Sequence, residues 1–368
     1  MKVLHVTSTF PRRDGDTVGP YLADLVAAER TAGLEVRVLA PHARDTAALV
    51  AGVPVRRFRY GPVGLERLAY GAGLLATSRT AAGAAMVPPY LAAFVAACRS
   101  EAGRWEPDVI HAHWWFPGGL AAALSGRPYV VTLHGSDVAL ARRMRPLARA
   151  VLTRAAAVVA VSRALAEEAA AVTGVTGIGV AAMPVVLTPP SGPARAARGG
   201  LLAVGRLAPE KGFDVLVDAM DLTGSDVTVD VIGEGPMGAA LRHRAGPRVR
   251  FLGALPRAEY HERLRAARAL VVPSRREGLG LVAVEAVLVG TPVIASAVGG
   301  LPAVLDADGG VLVPPDDPAA LARAMDAAAS LPAPGPGALR AAAAHDPATV
   351  AARHLALYED AAVRGGGR

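Results

Sequence analysis

Two series of short Val- and Ile-rich runs, spaced by helical stretches, constrain this chain more than any other feature. In the first half "KVLHVTS" (2–8), "EVRVLAP" (35–41), "DVIHAHW" (108–114), "PYVVTLHG" (128–135) and "AAVVAVS" (156–162) read as strands. Helical patterns such as "GPYLADLVAAERTAG" (19–33) and "RALAEEAAAV" (163–172) accompany them. Such alternation predicts a parallel sheet covered by helices on both faces. The pattern stops at "LTPPSGPARAARGG" (187–200), which is rich in Pro, Gly, Ser and Arg, as an interdomain linker is. It restarts with "LLAVGRL" (201–207), "VTVDVIG" (227–233), "RVRFLG" (248–253), "ALVVPS" (269–274), "PVIAS" (292–296) and "GVLVPP" (310–315). A closing amphipathic helix, "DPATVAARHLALYEDAAV" (346–363), begins at Asp346 as cap with Pro347 in its first turn. The expected class is α/β, with two doubly wound Rossmann-like domains facing each other across a cleft. The expected boundaries are 1–187, a linker 188–200, 201–345, and a terminal segment 346–368 that packs back on the amino-terminal domain.

Composition narrows the function. Hydrophobic residues make up 52% of the 368 and aromatics only 4%, so the core must be Ala, Val and Leu. The single cysteine, Cys98, excludes an intrachain disulfide and a cysteine-rich metal site, which suits a cytoplasmic protein. "MKVLHVTSTFPRR" reads as a strand and a polar loop, with no targeting signal. The most apolar stretch, "AAGAAMVPPYLAAFVAAC" (81–98), is interrupted by Pro88 and Pro89, so no uninterrupted run reaches transmembrane length. Segment 56–99 reads as a buried helical region, with peripheral contact at the inner face of a membrane as the alternative. The net charge of +7 raises the question of nucleic acid. The basic residues are scattered and form no nucleic-acid motif, so no such partner is expected. Lys2 and Lys211 are the only lysines among 39 basic residues.

Ligands of doubly wound sheets bind outside the carboxyl ends of the strands. There, "GRLAPEKG" (205–212) places Arg206 and Lys211 in a glycine-bounded loop, two cations suited to a diphosphate or, equally, to solvent. "PSRREGLGLVAVEA" (273–286) places Glu277 before Gly278, Leu279 and Gly280, then opens a helix whose free N–H groups suit a phosphate. Glu285 is the only charge between Gly278 and Gly290. A buried, unpaired carboxylate costs several kcal/mol, roughly, so Glu285 needs a polar partner, either a ligand diol or a structural cap. "TLHGSD" (132–137) ends a strand with His134, and "HAHWW" (111–115) puts His111 and His113 on one strand face. These three histidines are a metal candidate, disfavoured because no carboxylate or water-activating partner stands at matching spacing. No metal is expected.

The order G-R-L-x-x-E-K-G, E-G-x-G-x-x-x-x-E-A and G-x-P-V-I-A-S-x-x-G-G-L-P resembles the retaining nucleotide-sugar glycosyltransferases of family 4, with the GT-B fold. "VLHVTSTFP", "DVIHAHW…PGGLAA" and "TLHGSD" extend the resemblance over nearly the whole chain. It implies that Arg206 and Lys211 hold the donor diphosphate and that Glu277 contacts the sugar hydroxyls. Gly278, Leu279 and Gly280 would lie against the sugar and phosphates, and Glu285 would grip the ribose as its missing polar partner. His134 would stand beside the transferred sugar and Gly19 close to the diphosphate. The resemblance makes His134, Glu277, Arg206 and Lys211 the catalytic set, acting without metal or other cofactor. The partners implied are a nucleotide-sugar donor and a small-molecule or lipid-linked acceptor. A sugar phosphorylase, a nucleotide-sugar epimerase and a non-catalytic sugar-nucleotide-binding subunit are the alternatives. Two departures stand out. Ala303 follows "GGLP" where the family often has an acid, and "MPVVLTPP" (183–190) replaces its usual "PNG".

Overall fold

The computed structural model describes residues 1–62, 66, 68–70, 80–190, 199–305 and 308–366. Most of the expected linker, residues 191–198, therefore lies outside the described residues, as do part of the 56–99 segment and residues 367–368. The chain folds as two compact units, Met1–Pro184 with Pro347–Arg368, and Val185–Asp346.

The first unit is built on eight strands: β1 (Lys2–Val6), β2 (Glu35–Pro41), β3 (Leu49–Val50), β4 (Val53–Phe58), β5 (Val109–His113), β6 (Tyr129–Leu133), β7 (Ala157–Ala160) and β8 (Gly179–Val180). Their order is β3-β4-β2-β1-β5-β6-β7-β8, parallel except for the short β3 against β4. Order reverses between β1 and β5, the switch point where a doubly wound sheet opens its ligand crevice. Every residue of β5 and β6 is buried, as a sheet covered on both faces demands.

The second unit repeats the plan with β9 (Leu201–Val204), β10 (Val229–Ile232), β11 (Val249–Gly253), β12 (Leu270–Val272), β13 (Val293–Ser296) and β14 (Gly310–Val313). All pairs are parallel, in the order β11-β10-β9-β12-β13-β14. Its switch point lies between β9 and β12, the two strands that lead into "GRLAPEKG" and "PSRREGLG". Leu201, Ala203, Phe213, Leu216, Val231, Val271 and Ile294 form the centre of one apolar core.

Residues 56–58, expected as the start of a buried helical region, are instead the end of the strand β4. Val53, Val55 and Phe58 are buried, whereas Arg56 faces solvent. This alternation marks a strand near a sheet edge and is weaker than the continuous apolar runs elsewhere. The arginines have partners: Arg56 and Arg37 both donate to Glu101, at 2.8 and 3.1 Å. Pro88 and Pro89 do not end the apolar stretch either. One helix runs from Ala81 to Trp105 through both prolines. Both rings are exposed, so the carbonyls that lose their intrahelical N–H partners face water. Tyr90, Phe94, Cys98, Ala102 and Trp105 form its buried stripe. By length and composition alone this helix could cross a membrane, a match that the expected proline break had ruled out.

Residues 185–187, assigned from sequence to the first domain, group with the second unit. The Val185 N–H donates to the His345 carbonyl at 2.9 Å, and the Thr188 N–H to His261 Nδ1 at 3.0 Å. The terminal helix Pro347–Gly366 belongs to the first unit, where His354 and Tyr358 bond Glu29 of the Pro20–Thr31 helix.

Candidate functional site

In the second unit three loops are locked together by backbone contacts that only glycine permits. The loop after β9 runs from Gly205 to Gly212. A Cβ at Gly233 would strike the Gly205 carbonyl, and one at Gly235 the Leu207 carbonyl. Gly212 sits at φ +64° with its Cα against the Pro273 carbonyl, so this loop and the one after β12 pack without a side chain between them. The Glu210 carbonyl accepts the N–H groups of Arg275 and Arg276, at 3.0 and 3.2 Å. Arg275 grips Asp214 with two hydrogen bonds of 2.8 and 2.7 Å. That pairing raises the guanidinium above its ordinary value and lowers the Asp214 carboxyl.

The result is a defined place for Lys211. Its Nζ donates to Glu277 Oε2 at 2.6 Å, and Ser274 Oγ donates to the same oxygen at 3.3 Å. Glu277 opens the tight turn through Gly278 and Leu279 to Gly280. Gly280 (φ +86°) is the N-cap of the Leu281–Leu288 helix, and no side chain caps that end. The "GGLP" stretch closes over this turn. Gly299 (φ +57°) lies against the Glu277 carbonyl, and a Cβ at Gly300 would come within 2.9 Å of Leu279 Cα. The structure thus brings Lys211, Glu277, Gly278, Leu279 and Gly280 together at the carboxyl ends of β9 and β12. Arg206 stands at the exposed start of the first loop, at the opposite end from Lys211.

Glu285 is not the orphan that its apolar helix suggests. The Tyr260 hydroxyl donates to its Oε2, and His261 Nε2 lies 3.7 Å from Oε1. Both partners come from the Arg257–Ala266 helix, 24 and 25 residues upstream, beyond the reach of local sequence spacing. Burial, reinforced by the Glu285 charge, pushes the Tyr260 phenol well above its ordinary value, so it remains a donor. The expectation that a ligand supplies the only polar partner is therefore corrected. Glu285 remains accessible at 12% of its side-chain surface.

In the first unit, His134 follows β6 at the start of the Ser136–Ala141 helix. Asp137 Oδ1 accepts the N–H groups of His134 (3.1 Å) and Gly135 (2.9 Å). Burial raises the Asp137 carboxyl to about 6 despite these bonds. His134 Nε2 meets His113 Nδ1 at 3.1 Å, and its ring lies 4.7 Å from Trp114 and 5.7 Å from Tyr21. Burial, then the neighbouring His354, lowers the His134 ring to about 3, so it is neutral at ordinary pH. Tyr21 belongs to the first turn of the Pro20–Thr31 helix, whose N-cap is Gly19 at φ +65°. Gly19 and His134 thus share one end of this sheet.

His111 and His113 face each other, 4.3 Å between ring centroids, but His134 reaches only His113. Among the described residues, the groups close enough to share an ion are His5–His111–His113 and Glu29–His111–His354. Every ring nitrogen of His5, His111 and His113 is already hydrogen-bonded within the protein. That donor set does not fit an open metal site.

A family model described as "Glycosyltransferase Family 4" matches residues 18–185, and one described as "Glycosyl transferases group 1" matches 198–330. A D-inositol 3-phosphate glycosyltransferase of Frankia alni is 34% identical, with 85% of this chain and 86% of that protein covered. The chain belongs to glycosyltransferase family 4. A glycogen synthase of Mycobacterium tuberculosis is 32% identical over 60% of this chain, and the match spans only 60% of that enzyme's length. A sucrose-phosphate synthase from Thermosynechococcus elongatus superposes with a TM-score of 0.76 at 23% identity over 98% of each chain. HepE of Anabaena, solved with UDP and glucose, gives 0.72 at 21% identity, with 98% of this chain and 99% of that chain covered. These likenesses show the GT-B fold of the family 4 chain.

Sequence reasoning missed Glu29, His5, His354 and Tyr358, Tyr260 and His261, and "GEGP" (233–236), whose glycines seat the Arg206 loop. Only the last left a signal, a Gly-x-Gly directly after a strand.

Proposed function

We propose that this family 4 chain is a retaining glycosyltransferase that moves a sugar from a nucleoside diphosphate to an acceptor, without a metal ion. The Lys211–Glu277 pair, seated by three glycine-bounded loops beside an uncapped helix N-terminus, carries this reading. A donor diphosphate fits the cations Lys211 and Arg206 and the positive helix end. Glu277, released from Lys211 by the competing phosphate, accepts hydrogen bonds from sugar hydroxyls. Glu285, oriented by Tyr260, accepts from the ribose diol. As the glycosidic bond breaks, negative charge grows on the diphosphate, and the same cations stabilise it. No residue among those named stands as a general base for back-face attack. The resemblance to family 4 implies front-face attack, in which the acceptor proton passes to the departing phosphate oxygen and the anomeric configuration is kept. A cytoplasmic reaction suits the buried, unpaired Cys98 thiol.

The test is turnover of an α-linked nucleotide-sugar panel in excess EDTA, with proton NMR of the first product. An α-glycoside formed at full rate supports the reading. A β-product, or collapse of turnover restored by one divalent ion, defeats the mechanism. Phosphate-dependent cleavage or acceptor-free epimerisation would reveal the phosphorylase or epimerase instead.

A further inference from the structure

Eight side chains of the first unit form one hydrogen-bonded network, of which only His134 is placed beside the transferred sugar. His5 Nε2 lies 2.7 Å from Glu29 Oε2, and His5 Nδ1 lies 3.0 Å from His113 Nε2. His113 Nδ1 lies 3.1 Å from His134 Nε2. At the far end Glu29 Oε1 accepts the Tyr358 hydroxyl at 2.6 Å and meets His354 Nδ1 at 3.0 Å. His111 closes the side branch, with Nδ1 2.7 Å from the Tyr358 hydroxyl and Nε2 2.7 Å from Thr132 Oγ1. Glu29, His5, His111, His113, His354 and Tyr358 are each 1% exposed or less.

One proton assignment satisfies these contacts with a single buried charge. Burial alone would raise the Glu29 carboxyl, but His5 and the hydrogen bonds from His354 and His5 hold it well below its usual range. Ionised, Glu29 only accepts; with that anion as the network's single charge, His5 is neutral, carries its proton on Nε2 and presents a bare Nδ1, whereas a cationic His5 would donate from Nδ1 and reverse the chain. His113 must then donate from Nε2 and accept at Nδ1. His134 must donate from Nε2 in turn, which leaves its Nδ1 a lone-pair acceptor with no protein partner among the described residues. Burial and neighbouring histidines hold the His111 and His113 rings well below their ordinary value, so neither competes as a cation. The carboxylate is too weak a base, with three donors on it, to draw protons along the chain. The chain orients and does not shuttle.

We infer that Glu29, His5 and His113 are positioning residues that fix His134 as a neutral ring with Nδ1 bare, ready to accept a hydrogen bond from a ligand. This rests on the proposed function and on the place beside the transferred sugar that the family resemblance implies for His134. The terminal helix Pro347–Gly366, through His354 and Tyr358, helps to hold the anion that sets the chain's polarity.

The experiment uses the whole chain with 15N-labelled histidine. Its NMR spectra read the tautomer of each ring and the nitrogen–nitrogen coupling across each N–H···N bond. The expected result is protons on Nε2 of His5, His113 and His134, with couplings between His5 and His113 and between His113 and His134. His113→Leu should lower kcat/KM for the donor about tenfold, the scale of one hydrogen bond. His113→Asn, whose Oδ1 stands where Nδ1 accepts, should recover most of that loss. Missing couplings, a proton on Nδ1 of His134, equal kinetics in His113→Leu and His113→Asn, or one zinc ion per chain would overturn the inference. Inactivity toward every donor would defeat the functional reading alone. The couplings are read on the unaltered chain and still decide the tautomer.

Discussion

The two units carry their candidate residues in opposite ways. In the second unit the site is made of backbone: Gly212, Gly233, Gly299 and Gly300 let four loops touch, and Lys211 and Glu277 ride on them. In the first unit the site is made of side chains: His134 is held by a buried network drawn from positions 5, 29, 113, 354 and 358. Backbone sites tolerate change in side chains beyond the loops but not a single methyl group within them. Side-chain networks tolerate backbone drift but not a change in proton count.

The largest expected effect tests the backbone half. Gly299→Ala adds a Cβ against the Glu277 carbonyl at a left-handed φ of +57°. It should cost at least about 2 kcal/mol of stability and abolish donor binding. Gly15→Ala is the control in the first unit, at φ +76° with nothing within 4 Å, and should cost about 1 kcal/mol of backbone strain alone. Equal losses in thermal unfolding would remove the distinction between packed and merely strained glycines.

Acid tests the side-chain half. His111, His113 and His134 all have folded pKa values below 6.5, so below that pH the unfolded chain binds more protons and stability falls. Asp137, raised to about 6, works the other way as pH falls from 6 to 4, but it is one group against three. Trp105, Trp114 and Trp115 all lie in the first unit, so tryptophan fluorescence reports its unfolding selectively. The fluorescence-monitored midpoint should drop between pH 6.5 and 5. A midpoint that is flat or rises would contradict the neutral-histidine network.

A smaller effect concerns Glu285. Its removal should weaken nucleoside diphosphate binding by roughly 1–3 kcal/mol in titration calorimetry, the range for hydrogen bonds to a charged group. Unchanged affinity would leave Glu285 as a partner of Tyr260 and nothing more.

The same contrast explains what could be read in advance. The eleven strands read from apolar runs all form, because strands of a helix-covered parallel sheet leave a local run of Val, Ile and Leu. β4 was missed because Arg56 breaks its run and finds Glu101 only in three dimensions. Lys211, Glu277 and Gly280 were legible because a tight loop writes its glycines and charges next to each other. The partners of Glu285 and His134 were not, since Tyr260 and His261 come from another helix, and His5, Glu29 and Tyr358 meet His134's chain only through the fold. Hydrogen bonds between distant side chains leave no spacing to read.

The most direct test asks which unit holds the nucleotide. Titration calorimetry should compare the nucleoside diphosphate that binds the parent chain with Lys211→Ala and His134→Ala, both shown to be folded. The account predicts at least about a tenfold loss for Lys211→Ala, the scale of a charge-assisted contact to phosphate, and an affinity near the parent's for His134→Ala. Equal losses in both variants, or no loss in Lys211→Ala, would contradict a diphosphate held by the glycine-bounded loops of the second unit.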